Sequence, residues 1–148
     1  MSYLPDFTYL PVQVRLVLCA MTAALVIWGG LQDWRNREVT DWITWPLFIM
    51  GGFASLLSAW HLDFFPLIVA IVVLTAWYFD WMGGADARVM VGLWGLWPLA
   101  GFLGMAAVGL WGLALVLRKR GQERIPALVA VALVTGLTFL AEVAKMIV

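Results

Sequence analysis

"ARVMVGLWGLWPLAGFLGMAAVGLWGLALVL", Ala87 to Leu117, runs for 31 residues with a single charge, Arg88. As one helix, at ~1.5 Å rise per residue, it would reach about 46 Å, well beyond the ~30 Å of a bilayer's hydrocarbon core. "LWPLAG" is where it breaks, because Pro98 and Gly101 favour a turn. The reading is therefore two helices: a short fourth near Ala87 to Trp97 and a fifth near Leu99 to Leu117. Working outward, the remaining apolar runs predict helices over Val12–Leu31, Trp42–Trp60, Phe64–Met82 and Pro126–Val148. The expected fold class is all-α: a single domain over residues 1–148, polytopic, with about six transmembrane helices.

Composition points to the same solvent. Of 148 residues, 64% are hydrophobic and 12% charged, against roughly 45–50% and ~25% in ordinary soluble domains. Too few polar side chains exist to clothe a water-facing surface, so the lipid bilayer is the expected surroundings. A formal net charge of zero gives no reason to expect a nucleic-acid partner. The lone Cys19 lies in an apolar run and reads as a small buried hydrophobe. His61 falls in a short polar break and reads as solvated. No zinc-ligand spacing is present, so no metal and no cofactor are expected. The N-terminus lacks a basic leader and its first apolar run is long for a cleaved signal, so that run reads as a retained helix.

Lysine and arginine orient the chain. With the N-terminus outside, Arg35, Arg37, Arg88, Arg118, Lys119, Arg120 and Arg124 lie at the cytoplasmic face, and only Arg15 and Lys145 toward the other. Seven against two fits an even number of crossings. Trp34, Trp42, Trp45, Trp77 and Trp81 are expected at the cytoplasmic interface, and Trp60, Trp94 and Trp97 at the far one. Gly101, Gly104, Gly109 and Gly112 are expected to permit close helix packing.

Most of the acidic residues have ordinary explanations. Asp6 and Asp63 lie in polar segments, Glu123 in a basic loop, and Glu142 three residues before Lys145 on one helix. Asp41 reads as the N-cap of the second helix, and Asp80 as a helix-end residue reaching water. Asp33, in "LQDWRNREVTDW", and Asp86, in "WMGGADARVM", differ. Both fall at the same membrane face, at the ends of helices far apart in the chain. Two carboxylates held together in a low dielectric share one proton. The ionised member can take a proton from water while the protonated member polarises a carbonyl, which suffices to hydrolyse a peptide bond. The other reading also stands: Asp86 as a helix cap, and Asp33 paired with Arg35 or Arg37.

At these residues the chain resembles the type IV prepilin peptidase family of membrane aspartyl proteases (GxGD-type). "DWRNREVTDWIT" resembles the family's first motif, an aspartate at a helix end followed by a basic segment leading to Ile-Pro-Asn. "GGADARVMVGLWGLWP" resembles the second, Gly-x-Gly-Asp with a basic residue two positions on. "RIPALVAVALVTG", Arg124 to Gly136, follows a basic loop as in the family. Thr40 and Asp41 stand where Pro-Asn is usual, and Ala85 replaces the second motif glycine. The paired cysteines of the larger members' methyltransferase region are missing, so the likeness is to a short, peptidase-only form.

The resemblance implies a membrane endopeptidase that removes the leader of a prepilin-like precursor (a Flp-type pilin or archaeal preflagellin type) at the cytoplasmic face of the plasma membrane. Asp33 and Asp86 would be the catalytic pair, water the nucleophile, and Gly83, Gly84 and Arg88 substrate-binding or hinge residues. Partners implied are the precursor and the lipid bilayer, with a homo-oligomer left open. Two readings from other classes compete. One is a proton-coupled transporter using the same acids, against which stand their placement toward one face and the lack of an internal repeat. The other is a non-catalytic membrane assembly subunit.

Overall fold

Prolines and glycines mark where helices start. Pro66 opens one, Pro98 another, and Gly83 caps a third. The computed structural model describes residues 12–36, 38–117 and 127–147. Among these all regular structure is helical: α1 (Val12–Asn36), α2 (Asp41–Trp60), α3 (Phe65–Tyr78), α4 (Gly84–Leu96), α5 (Pro98–Leu117) and α6 (Ala127–Ile147). The all-α class and the break at Pro98 are as expected. Trp97 leaves helical geometry (φ −152°, ψ 77°), because the proline ring disfavours the helical conformation in the residue before it. The chain resumes at once, with the Gly101 amide donating to the Trp97 carbonyl at 3.1 Å. Asp6, Arg37 and the basic loop Arg118–Ile125 lie outside the described residues, as do the Arg15 side chain, the packing of Gly112 and the proposed Glu142–Lys145 pair.

Among the described residues, two helices are long and apolar enough to cross a membrane, Leu16–Asn36 and Asp41–Trp60. Several helices differ from expectation in length. α1 continues past Leu31 to Asn36, so Asp33 sits within its last turn. α3 stops at Tyr78, short of Met82. Beyond it Asp80 takes a left-handed conformation (φ 57°), exposed as expected. α3 and α4, with 14 and 13 residues, rise only about 20 Å each.

Packing rests on small residues. A Cβ on Gly95 would overlap the Gly51 carbonyl oxygen, and one on Gly92 would stand 2.8 Å from the Leu47 carbonyl oxygen. α2 and α4 thus meet backbone to backbone, the approach that glycine permits between helices in lipid. At α1–α6, a Cβ on Gly30 would stand 2.5 Å from the Ala132 Cβ and 3.0 Å from the Leu128 carbonyl oxygen. Gly101 and Gly104 do pack closely, beneath the Trp94 indole and against Val131, whereas Gly109 faces open space. α1 packs chiefly on α6 and α4 chiefly on α2, with α3 against α4 and α5 against α6, while α1 and α4 touch sparingly.

Large apolar side chains point outward all round the molecule, among them Trp28, Ile49, Phe53, Val72, Leu110 and Leu137. The buried polar residues Thr22, Ser55 and Thr135 each donate a hydroxyl to the carbonyl four residues earlier, so their polarity is answered within their own helix. Trp34, Trp42, Trp60, Trp77 and Trp81 are exposed, but Trp94 and Trp97 are buried at 5% and 0% exposure. The expectation that these two anchor the far interface is therefore corrected. Trp94 lies edge-on to Phe65 and Phe102 and donates Nε1–H to Met105 Sδ at 3.3 Å. The Trp94 indole lies over Gly101, where a Cβ would meet it at 3.1 Å.

The α2–α4 contact predicts a sharp contrast between neighbouring glycines. Gly95→Ala should destabilise the detergent-solubilised protein by roughly 1–3 kcal/mol through overpacking. Gly52→Ala, with nothing within 4 Å, should be neutral or raise stability by up to ~1 kcal/mol. Thermal unfolding followed by circular dichroism separates the two.

Candidate functional site

The C-terminal ends of α1 and α3 and the N-terminal ends of α2 and α4 gather at one end of the bundle. There the last turn of α1 presents Asp33 and the first turn of α4 presents Asp86, both half-buried. The two carboxylates lie within electrostatic reach of each other, the charge of Asp33 acting on Asp86. The last turn of α1 and the first turn of α4, far apart in the chain, thus lie at the same end of the bundle.

The local geometry of α4 sets Asp86. Gly83 is the N-cap, extended at φ −63° and ψ 146°, and the first helical bond runs from the Ala87 amide to the Gly83 carbonyl (2.9 Å). Asp86 is therefore the third residue of the helix and not its cap, and no side-chain hydrogen bond caps this end. A carboxylate in the first turn is favoured by the partial positive charge of the helix N-terminus.

Gly83 and Gly84 have ordinary, negative φ, so their backbone angles do not demand glycine. What glycine supplies is room. A Cβ on Gly83 would stand 3.3 Å from Asp86 Oδ2, and one on Gly84 3.2 Å from Trp77 Nε1. Ala85 occupies the next position without any conformation that alanine would resist.

Arg88, two residues after Asp86, faces α2. Its guanidinium forms an ion pair with the Asp41 carboxylate, donates to Thr44 Oγ1 at 3.3 Å, and lies 4.7 Å from the centre of the Trp45 ring, within cation–π range. Asp41 is consequently not the N-cap that its position suggested. Thr40 precedes α2 as the cap residue, and Asp41 turns toward α4. A second link joins α1 to the start of α2. Gln32 Oε1 accepts from the Thr40 amide (3.2 Å) and from the Thr40 hydroxyl (3.1 Å). Sequence reasoning missed both links. The signal for the first was present, since Asp41 and Arg88 carry opposite charges on helix starts expected at one face.

Beside the end of α1 that carries Asp33, an apolar groove runs between α1 and α6. Leu31 and Trp34 line it from α1, and Ala132, Leu133, Gly136 and Leu137 from α6. Its walls offer almost no hydrogen-bonding group, so it suits an apolar chain.

No protein-family model, no curated protein and no solved structure matches this chain.

Proposed function

We propose that the protein is a membrane aspartyl endopeptidase that removes the leader of a prepilin-like precursor, with Asp33 and Asp86 as its catalytic pair. The observation that carries the reading is the placement of two half-buried carboxylates, in the last turn of α1 and the first turn of α4, at one end of an all-helical bundle and within electrostatic reach of each other. The motif likeness around "DWRNREVTDWIT" and "GGADARVMVG", the two spanning-length helices and the outward-facing apolar side chains support it.

The chemistry follows from the pair. One carboxylate, ionised, takes a proton from a water molecule as its oxygen attacks the scissile carbonyl carbon. The other, protonated, gives its proton to the carbonyl oxygen, yielding a neutral tetrahedral diol. Collapse breaks the C–N bond as the amine nitrogen receives a proton from the first carboxyl, and the second recovers one from the diol. The peptide enters extended, because carbonyls inside a helix are already hydrogen-bonded. The substrate's apolar segment would lie alongside the enzyme in lipid, its leader in the cytoplasm.

In the orientation proposed, all six helices cross or enter the bilayer, the N-terminus is outside, and the aspartate pair faces the cytoplasm. The excess of arginine and lysine at that face supports this arrangement.

Two measurements test the proposal. With purified protein in lipid and a prepilin-like peptide, Asp33→Asn and Asp86→Asn should each lower the cleavage rate by about 10²–10⁴-fold, the range for losing a general acid or base. Retained gel-filtration behaviour would show that the fold survives, and continued cleavage by either variant would refute the pair. For topology, Glu38→Cys and Asp63→Cys are placed in a Cys19→Ala background, both original side chains being exposed. A membrane-impermeant maleimide should label the Asp63→Cys protein in intact cells and the Glu38→Cys protein only after permeabilisation.

A further inference from the structure

Asp33 and Asp86 belong to differently packed parts of the bundle. α1 is held chiefly by α6, and α4 chiefly by α2, with little direct contact between α1 and α4. Close packing alone therefore does not register one carboxylate against the other. Polar links at this end of the molecule do. Gln32, the residue before Asp33, holds Thr40 through both its amide and its hydroxyl. Asp41, the residue after Thr40, holds Arg88, and Arg88 stands two positions from Asp86. The path from one carboxylate to the other thus runs Gln32, Thr40, Asp41, Arg88, through side-chain contacts and single steps of backbone.

We infer that this relay sets the separation of the two aspartates, with Gln32 and Arg88 as positioning residues that touch no reacting atom. Arg88 is built for such a task. Its guanidinium is mostly enclosed, at 17% exposure, and is fixed from three directions by the Asp41 carboxylate, the buried Thr44 hydroxyl and the face of Trp45. A planar, permanently charged fork held in this way cannot swing as a lysine on a surface would. Asp41, by contrast, keeps 71% of its side chain exposed. Asp41→Asn therefore removes the ionic link without opening a cavity, while Arg88 keeps its contacts with Thr44 and Trp45.

The inference rests on the proposed peptidase reading only for its kinetic test, so a structural test is paired with it. In a Cys19→Ala background, Asp33→Cys and Asp86→Cys are combined and treated with a short bis-methanethiosulfonate cross-linker. The extent of intramolecular cross-linking is then compared with and without Gln32→Ala, Asp41→Asn or Arg88→Ala. Each of the three should lower it several-fold, and Arg88→Lys, which keeps the charge but not the planar fork, should restore only part of the loss seen with Arg88→Ala. Asp41→Asn serves where Arg88→Ala does not fold. Unchanged cross-linking in both Gln32→Ala and Asp41→Asn would overturn the relay, whatever the enzyme's activity.

In the cleavage assay, with Asp33 and Asp86 intact, the same three substitutions should lower kcat by about 10- to 100-fold, the scale of a small misplacement of reacting groups. KM should stay within about two-fold, since no ground-state contact to substrate is removed. A raised KM at constant kcat would make Arg88 a substrate contact and overturn its positioning role. A wild-type protein that cleaves nothing defeats the peptidase reading alone, and the cross-linking result still decides the relay.

Discussion

Backbone contact between α2 and α4 is the constraint on which the rest of this structure depends. Gly51, Gly92 and Gly95 bring the two helices closer than any side chain would allow. Such proximity is worth more in lipid than in water, because helices there gain nothing from expelling apolar surface and must rely on contact and dispersion. With α4 seated on α2, the start of α4 has one available height, and the Arg88–Asp41 pair meets there.

A second close contact seats α1 on α6, through Gly30, Leu128 and Ala132, and leaves an apolar groove open along one side. Asp33 belongs to this pair of helices and Asp86 to the other, and α1 and α4 touch only sparingly. The polar contacts of Gln32 with Thr40 and of Asp41 with Arg88 span the two pairs at this end of the molecule.

Much of this was legible in the residues. Apolar run lengths gave six helices, and Pro98 placed the break that makes the count even. The placement of Asp33 and Asp86 at one end of the bundle followed from their positions at helix ends expected to share a face. Other features were hidden for identifiable reasons. Gly51, Gly92 and Gly95 lie in uniformly apolar stretches, where periodicity does not distinguish the face toward a neighbour from the face toward lipid. Trp94 and Trp97 looked like interfacial anchors because tryptophan is common there. Only the three-dimensional path after Pro98 reveals that their rings turn inward. Asp41 looked like a cap because aspartate before a helix usually is one, and the alternative required knowing that Arg88 stands opposite.

The shortness of α4 has a consequence for water. Thirteen residues fall about 10 Å short of a typical hydrocarbon thickness. The flanks of α4 are clothed by protein, Ala87 and Val89 to Leu96 all being buried, so lipid has no need to thin around it. On the membrane reading, at least one end of α4 instead stops below the level of the bilayer surface, in a recess bounded by longer helices. A hydrolytic pair placed at its first turn would draw its second reactant from such a recess.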